Sequence, residues 1–169
     1  NVFVSGSYLQ GLFPPQMMNE AIASVVTSNL IEGHKRAYDI IKHNNPCAKV
    51  GIAQNITWNE IYNNTNEELE IKRKKDMDWN WYFLDKISNY QDFIGVNHYV
   101  RNKNGGNENK ILSDMGWELY PEAIYHVLTD ACERYNLPII ITENGLADAE
   151  DTRRGWFICE TLKWVHKAI

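Results

Sequence analysis

Between Met17 and Lys42, apolar residues fall at Ile22, Val25, Val26, Leu30, Ala37, Ile40 and Ile41, a three- and four-residue spacing that places them on one side of a long helix. The stretch GLFPPQ at 11–16 punctuates a loop before this helix, and Pro46 ends the connection after it. AKVGIAQNI at 48–56 then reads as a short strand. Thr65 and Glu68 have the spacing of a capping box, so a second helix is expected from TNEEL at 65–69 through WNWYFLDKI at 79–87. DFIGVNHYV at 92–100 is the next predicted strand, followed by the Gly/Asn-rich loop RNKNGGNENK. PEAIYHVLTDACERY at 121–135, with Pro in its first turn, predicts a third helix. A strand at 138–142 and a last helix from about Thr152 complete the pattern.

Helices and strands alternate, and no hairpin signals join the strands. Such an order implies a parallel sheet with right-handed crossovers. The three countable strands leave two open edges, so the expectation is a piece of a larger sheet or closed barrel, treated as one unit over residues 1–169.

Each predicted strand runs into polar residues: Asn55 after the first, Asn97 and Tyr99 after the second, Glu143 and Asn144 after the third. In parallel α/β sheets the carboxyl edge is where ligands bind, so convergence there is what a site requires. A carboxylate such as Glu143 can act there as nucleophile, general base or metal ligand. His98 alternates with Asn97 and Tyr99 and is expected to point the other way, which weakens a metal reading. A phenol beside the carboxylate would hold it ionised and oriented. No phosphate-cradling loop and no nucleophile elbow occur.

Composition narrows the partners. The net charge of −5 and pI near 5.5 argue against nucleic acid, and the basic run KRKK at 72–75 lies within a predicted acidic helix as a solvated face. Cys47, Cys132 and Cys159 are odd in number, far apart and without metal-ligand spacing, so they read as reduced thiols, with neither a disulfide framework nor zinc. No apolar window has the length of a membrane span. No leader opens the chain, and the expected location is the cytoplasm. The chain begins at Asn1 and stops within a helical pattern, which reads as part of a longer polypeptide. The sequons at Asn55 and Asn63 are attributed to chance.

IITENGLAD at 140–148 resembles the nucleophile motif of family-one glycoside hydrolases, the β-glucosidases and β-glycosidases. GSYLQGLFPP at 6–15, NLIEGHKRAYDIIK at 29–42, DFIGVNHYV at 92–100 and SDMGWELYPEAIY at 113–125 are similar to other stretches of that family, in the same order. The resemblance covers essentially the whole chain. It implies part of a (β/α)8 TIM barrel, parallel strands corresponding to barrel strands five to seven with flanking helices. It further implies retaining hydrolysis of β-glycosides or oligosaccharides, without cofactor or metal. By resemblance, Glu143 is the nucleophile and Tyr99 orients it, while Asn97, Asn144 and Asn55 are expected to bind substrate, Asn55 near the aglycone side. Trp117 is read as a packing residue, as are Trp79, Trp81, Trp156 and Trp164, and His34 as a packing or supporting one.

The chain also departs from the family pattern. The family's acid/base glutamate, in Asn-Glu-Pro, would end immediately before Asn1, and the segments that read most sugar hydroxyls are absent. The link from Ile87 to Asp92 and the loop at 101–112 look short for the family. The chain alone is therefore expected to be inactive, and to associate with the remainder of a barrel or with itself. The alternative is a noncatalytic half-barrel that binds carbohydrate or only self-assembles.

Overall fold

A computed structural model describes residues 1–103 and 111–169. A short helical turn, α1 (Val2–Val4), opens the chain and continues into a π-helical turn at Ser5–Leu9. The first long helix, α2 (Glu20–Asn44), starts where Asn19 Oδ1 accepts the Ile22 N–H at 3.1 Å. Strand β1 (Gly51–Asn55) follows, then β2 (Trp58–Glu60). Helix α3 (Asn66–Lys75), a π-helical turn (Asp76–Trp81) and α4 (Tyr82–Lys86) form one continuous helical run, where the sequence predicts a single helix. Then come β3 (Phe93–Asn97), β4 (Arg101–Lys103), α5 (Ala123–Tyr135), β5 (Ile139–Glu143) and α6 (Arg154–Ala168).

Half of the predicted capping box is present. Thr65 Oγ1 accepts the Glu68 N–H at 3.2 Å, but the Glu68 carboxylate accepts the N–H of Asn63, at 2.7 Å. Helix α5 stops where Asn136 takes a left-handed conformation, φ 50°, and donates its N–H to the Cys132 carbonyl.

The main sheet is parallel, in the order β1-β3-β5, as the alternation predicts. Its helix-facing side carries the core: Ile94 and Val96 of β3 pack with Leu84, Ile87, Ile124, Val127 and Ala131. Along β3 the side chains alternate, so Gly95 and Asn97 belong to the opposite side, where Ile140 of the neighbouring strand is 48% exposed. β1 and β5 each pair on one side only, among the described residues.

Two elements differ from expectation. The chain has five strands among the described residues, not three: β2 pairs with β4 in a second parallel ladder just beyond the carboxyl ends of β1 and β3. β4 lies in a stretch that the sequence predicts as loop; the rest of that loop, 104–110, lies outside the described residues. The second ladder is polar, which is why no apolar run signals it. Its Arg101 is buried between carboxylates on two sides. The buried stripe of α2 also differs from the predicted one: Ala23 and Ile31 are buried while Val25, at 60%, Leu30 and Ile40 are exposed. His34 instead turns to the sheet side, where its Nε2 donates to the Tyr90 carbonyl at 2.7 Å.

All three cysteines are free and exposed. Among the described residues no helix is long and apolar enough to cross a membrane.

Candidate active site

Parallel pairing brings the three strand ends into one row. Asn55 lies opposite Asn97, and Asn97 opposite Glu143. The last pairing depends on a bulge. Val96 faces Ile141, but Asn97 faces Glu143, so Thr142 and Glu143 together oppose one residue. Regular alternation would give Glu143 the same side as Ile139 and Ile141, against the helices. The extra residue re-aims it to the open side, next to Asn97.

Tyr99, two residues after Asn97 and so on its side of the chain, donates its hydroxyl to Glu143 Oε2 at 3.0 Å. Burial first, and then the hydrogen bond and charge of Glu143, raise the phenol above its ordinary range, so it remains a donor well into the alkaline region. Glu143 is exposed on the open side of the sheet.

The intervening His98 is buried, as its alternation predicts. It joins all three strand ends. Its Nδ1 donates to the Ile56 carbonyl at 2.8 Å, its N–H donates to the Glu143 carbonyl at 3.0 Å, and its carbonyl accepts Asn144 Nδ2 at 2.7 Å. Burial lowers the imidazole to about 4, so it is neutral at neutral pH. Asn144 thus holds the turn after β5 through its side chain.

The two remaining predicted residues are positioned through their amide oxygens. Asn97 Oδ1 accepts the Thr142 hydroxyl at 2.5 Å, and Asn55 Oδ1 accepts the indole N–H of Trp79 at 3.2 Å. The structure therefore gathers Asn55, Asn97, Tyr99, Glu143 and Asn144 at one sheet edge.

Three further side chains border these residues, a placement that the sequence reading did not give them. Trp79, read as helix packing, is delivered to Asn55 by the π-helical turn. Trp117, also read as packing, is 38% exposed and lies 5.9 Å from the Tyr99 ring, tilted by 47°. Tyr99, Trp117, Gly145 and Leu146 share one small cleft. The third is Arg101, which donates through Nε and Nη2 to Glu118, at 2.8 and 2.5 Å, and through Nη1 to Glu60 at 2.8 Å. Its guanidinium lies 3.7 Å above the Tyr120 ring. This bidentate, buried pair anchors the segment carrying Trp117 to β4, two residues beyond Tyr99. Among the described residues, no group of three or more His, Cys, Asp or Glu is arranged to hold a metal ion.

The model for "Glycosyl hydrolase family 1" matches residues 1–90 and 83–168. A β-galactosidase of Sulfolobus acidocaldarius is 29% identical over 93% of this chain and 39% of its own length. The structure superposes on a β-glycosidase of Pyrococcus horikoshii with TM-score 0.87 and 32% identity, over 99% of this chain and 45% of that one. A β-glucosidase of Pyrococcus furiosus gives TM-score 0.84 and 31% identity, over 98% and 40%. The chain thus spans about two-fifths of the length of these relatives, and its parallel sheet is part of their TIM barrel. With the family model matched along nearly all of its residues, the chain belongs to glycosyl hydrolase family 1.

Proposed function

We propose that the polypeptide containing this chain hydrolyses β-glycosides with retention of configuration, Glu143 being the nucleophile. The observation that carries this reading is the Tyr99 hydroxyl on Glu143 Oε2, at the carboxyl edge of a parallel sheet. A phenol donor stabilises the carboxylate form and fixes one oxygen, leaving the other to attack the anomeric carbon. As the carbon–oxygen bond of the glycoside breaks, the departing oxygen takes a proton from a second carboxyl group, roughly 5 Å away in retaining enzymes. Water then attacks the anomeric carbon of the glycosyl-enzyme, giving a proton back to that second carboxylate as the bond to Glu143 breaks.

The proton donor is not at a strand end of the main sheet, where the other two ends are Asn55 and Asn97. We assign it, by the family resemblance, to the glutamate of an Asn-Glu-Pro ahead of Asn1 in the longer polypeptide. Two contacts support this: Asn1 Nδ2 donates to the carbonyls of Asn55, at 2.6 Å, and Trp79, at 3.0 Å, at the same sheet edge. Asn97 and Asn144 flank the sugar attacked by Glu143 and Asn55 lies on its aglycone side, and residues 1–169 act as one unit of the barrel, completed by further strands against β1 and β5. The substrate is a β-glycoside or oligosaccharide.

The test is Glu143→Gly in the full-length protein. Hydrolysis of an aryl β-glucoside should fall by several decades, and azide should restore turnover of an activated substrate, because the small anion replaces the missing carboxylate. Near-normal activity without added anion would exclude Glu143 as the nucleophile.

A further inference from the structure

We propose, on the glycosidase reading of the site, that Trp79 is a positioning residue for sugar recognition. Its indole fixes the Asn55 amide with the NH2 group facing the cleft, as a donor to the sugar unit next to the one attacked at Glu143.

An asparagine amide can in principle sit either way round, since its oxygen and nitrogen are alike in shape. At Asn97 the partner is the Thr142 hydroxyl, which can donate or accept and so leaves the choice open. At Asn55 the partner is an indole N–H, 3.2 Å from Oδ1, and an indole can only donate. The oxygen must face Trp79, and the NH2 group must point away from it. Among the described residues none receives Asn55 Nδ2.

The indole is itself held fast. The Trp79 carbonyl accepts Gln54 Nε2 at 3.0 Å. The next residue, Asn80, is 1% exposed and grips the backbone after β1 twice, accepting the Thr57 N–H and donating to the Thr57 carbonyl, both at 2.9 Å. Asn80 also donates to Asp76 within the same π-helical turn, at 3.1 Å. The turn inserts an extra residue into the helical run and clamps its carboxyl end onto β1, which brings Trp79 to the sheet edge. Asn55 is two strands from Glu143, roughly 10 Å at the backbone. That separation exceeds one sugar ring, so the donor addresses the neighbouring unit. A contact so far from the reacting carbon acts on substrate and transition state alike and shows in KM.

The experiment compares cellobiose with 4-nitrophenyl β-D-glucoside in the full-length protein. Trp79→Phe keeps a ring and removes the donor. For cellobiose it should raise KM about three- to tenfold, several times more than for the aryl glucoside, which has no second sugar. Asn55→Ala should do the same, and adding Trp79→Phe to Asn55→Ala should produce no further loss, since Trp79 acts through Asn55. Equal effects on the two substrates, a loss confined to kcat, or additive losses would overturn the assignment and leave Trp79 a packing residue. If Trp79→Phe does not fold, the Asn55 side-chain amide resonances of Glu143→Gln report directly. Cellobiose should shift an Asn55 NH2 proton, and bound sugar without such a shift would overturn the assignment. A wild-type protein that turns over neither substrate would instead refute the glycosidase reading itself.

Discussion

The hydroxyl of Tyr99 lies 3.0 Å from Oε2 of Glu143, a contact between residues 44 apart in sequence that exists because a bulge in β5 turns Glu143 toward Asn97 and the open side of the sheet. Among the described residues its hydroxyl has no other hydrogen-bond partner, while the ring packs beside Trp117. Tyr99→Phe in the full-length protein is expected to lower kcat about ten- to hundredfold, the worth of one hydrogen bond to a charged group. Stability should stay within about 0.5 kcal/mol, checked by denaturant midpoint beside the kinetics. A loss of stability with unchanged kcat would make Tyr99 a packing residue.

The same contact sets a titration. Burial, and then Glu143, raise the Tyr99 phenol above the usual value near 10. The folded pKa lies above the unfolded one, so the contribution to stability is present below pH 10 and fades as pH rises through the folded value. The phenolate absorbance difference between wild type and Tyr99→Phe should therefore appear above pH 10. Glu143→Gln should move it back toward the ordinary value, because the carboxylate charge is gone while burial remains.

His98 behaves oppositely. Burial lowers its imidazole from 6.5 to about 4, against a smaller opposing effect of the Ile56 hydrogen bond. The unfolded chain binds this proton more readily. The stabilising contribution is complete above pH 6.5 and is lost as pH falls toward 4, on the order of 3 kcal/mol in all. Unfolding free energies measured from pH 7 to 4 should fall in wild type, and His98→Asn should flatten that slope while keeping a donor for the Ile56 carbonyl. An unchanged slope would show that His98 titrates normally.

What the sequence makes legible depends on what each residue signals locally. The apolar run Ile139–Ile141 ending in Glu143 marks a buried strand and its carboxyl edge, so the row of Asn55, Asn97 and Glu143 is readable from the residues alone. The bulge is not, since one extra residue at Thr142 leaves no trace in composition. The polar ladder of β2 and β4 escapes for the same reason: three residues such as Arg101–Lys103 carry no alternation. In α2 the period marks the helix, but which stripe is buried depends on neighbours the spacing does not contain, hence the exposed Val25 and Ile40. Trp79 is hidden because a π-helical turn breaks the 3.6-residue phase from which its direction is inferred.

Arg101 and Glu118 give a stability test away from the chemistry. The Glu118 side chain is fully buried and bidentate with Arg101. Glu118→Ala leaves a buried guanidinium with Glu60 as its one remaining carboxylate among the described residues, at a cost of about 3–5 kcal/mol. Chemical denaturation would read this directly, and a shift under about 1 kcal/mol would mean that the pair is solvated rather than buried.

Covalent trapping reads the nucleophile itself. The full-length protein, treated with an activated 2-deoxy-2-fluoro-β-D-glucoside and digested, should yield a single fluoroglucosyl adduct on the peptide holding Glu143, since the fluorine slows release of the glycosyl-enzyme more than its formation. An adduct on another carboxylate, or normal turnover of β-glucosides with no adduct at all, would show that Glu143 does not carry the sugar.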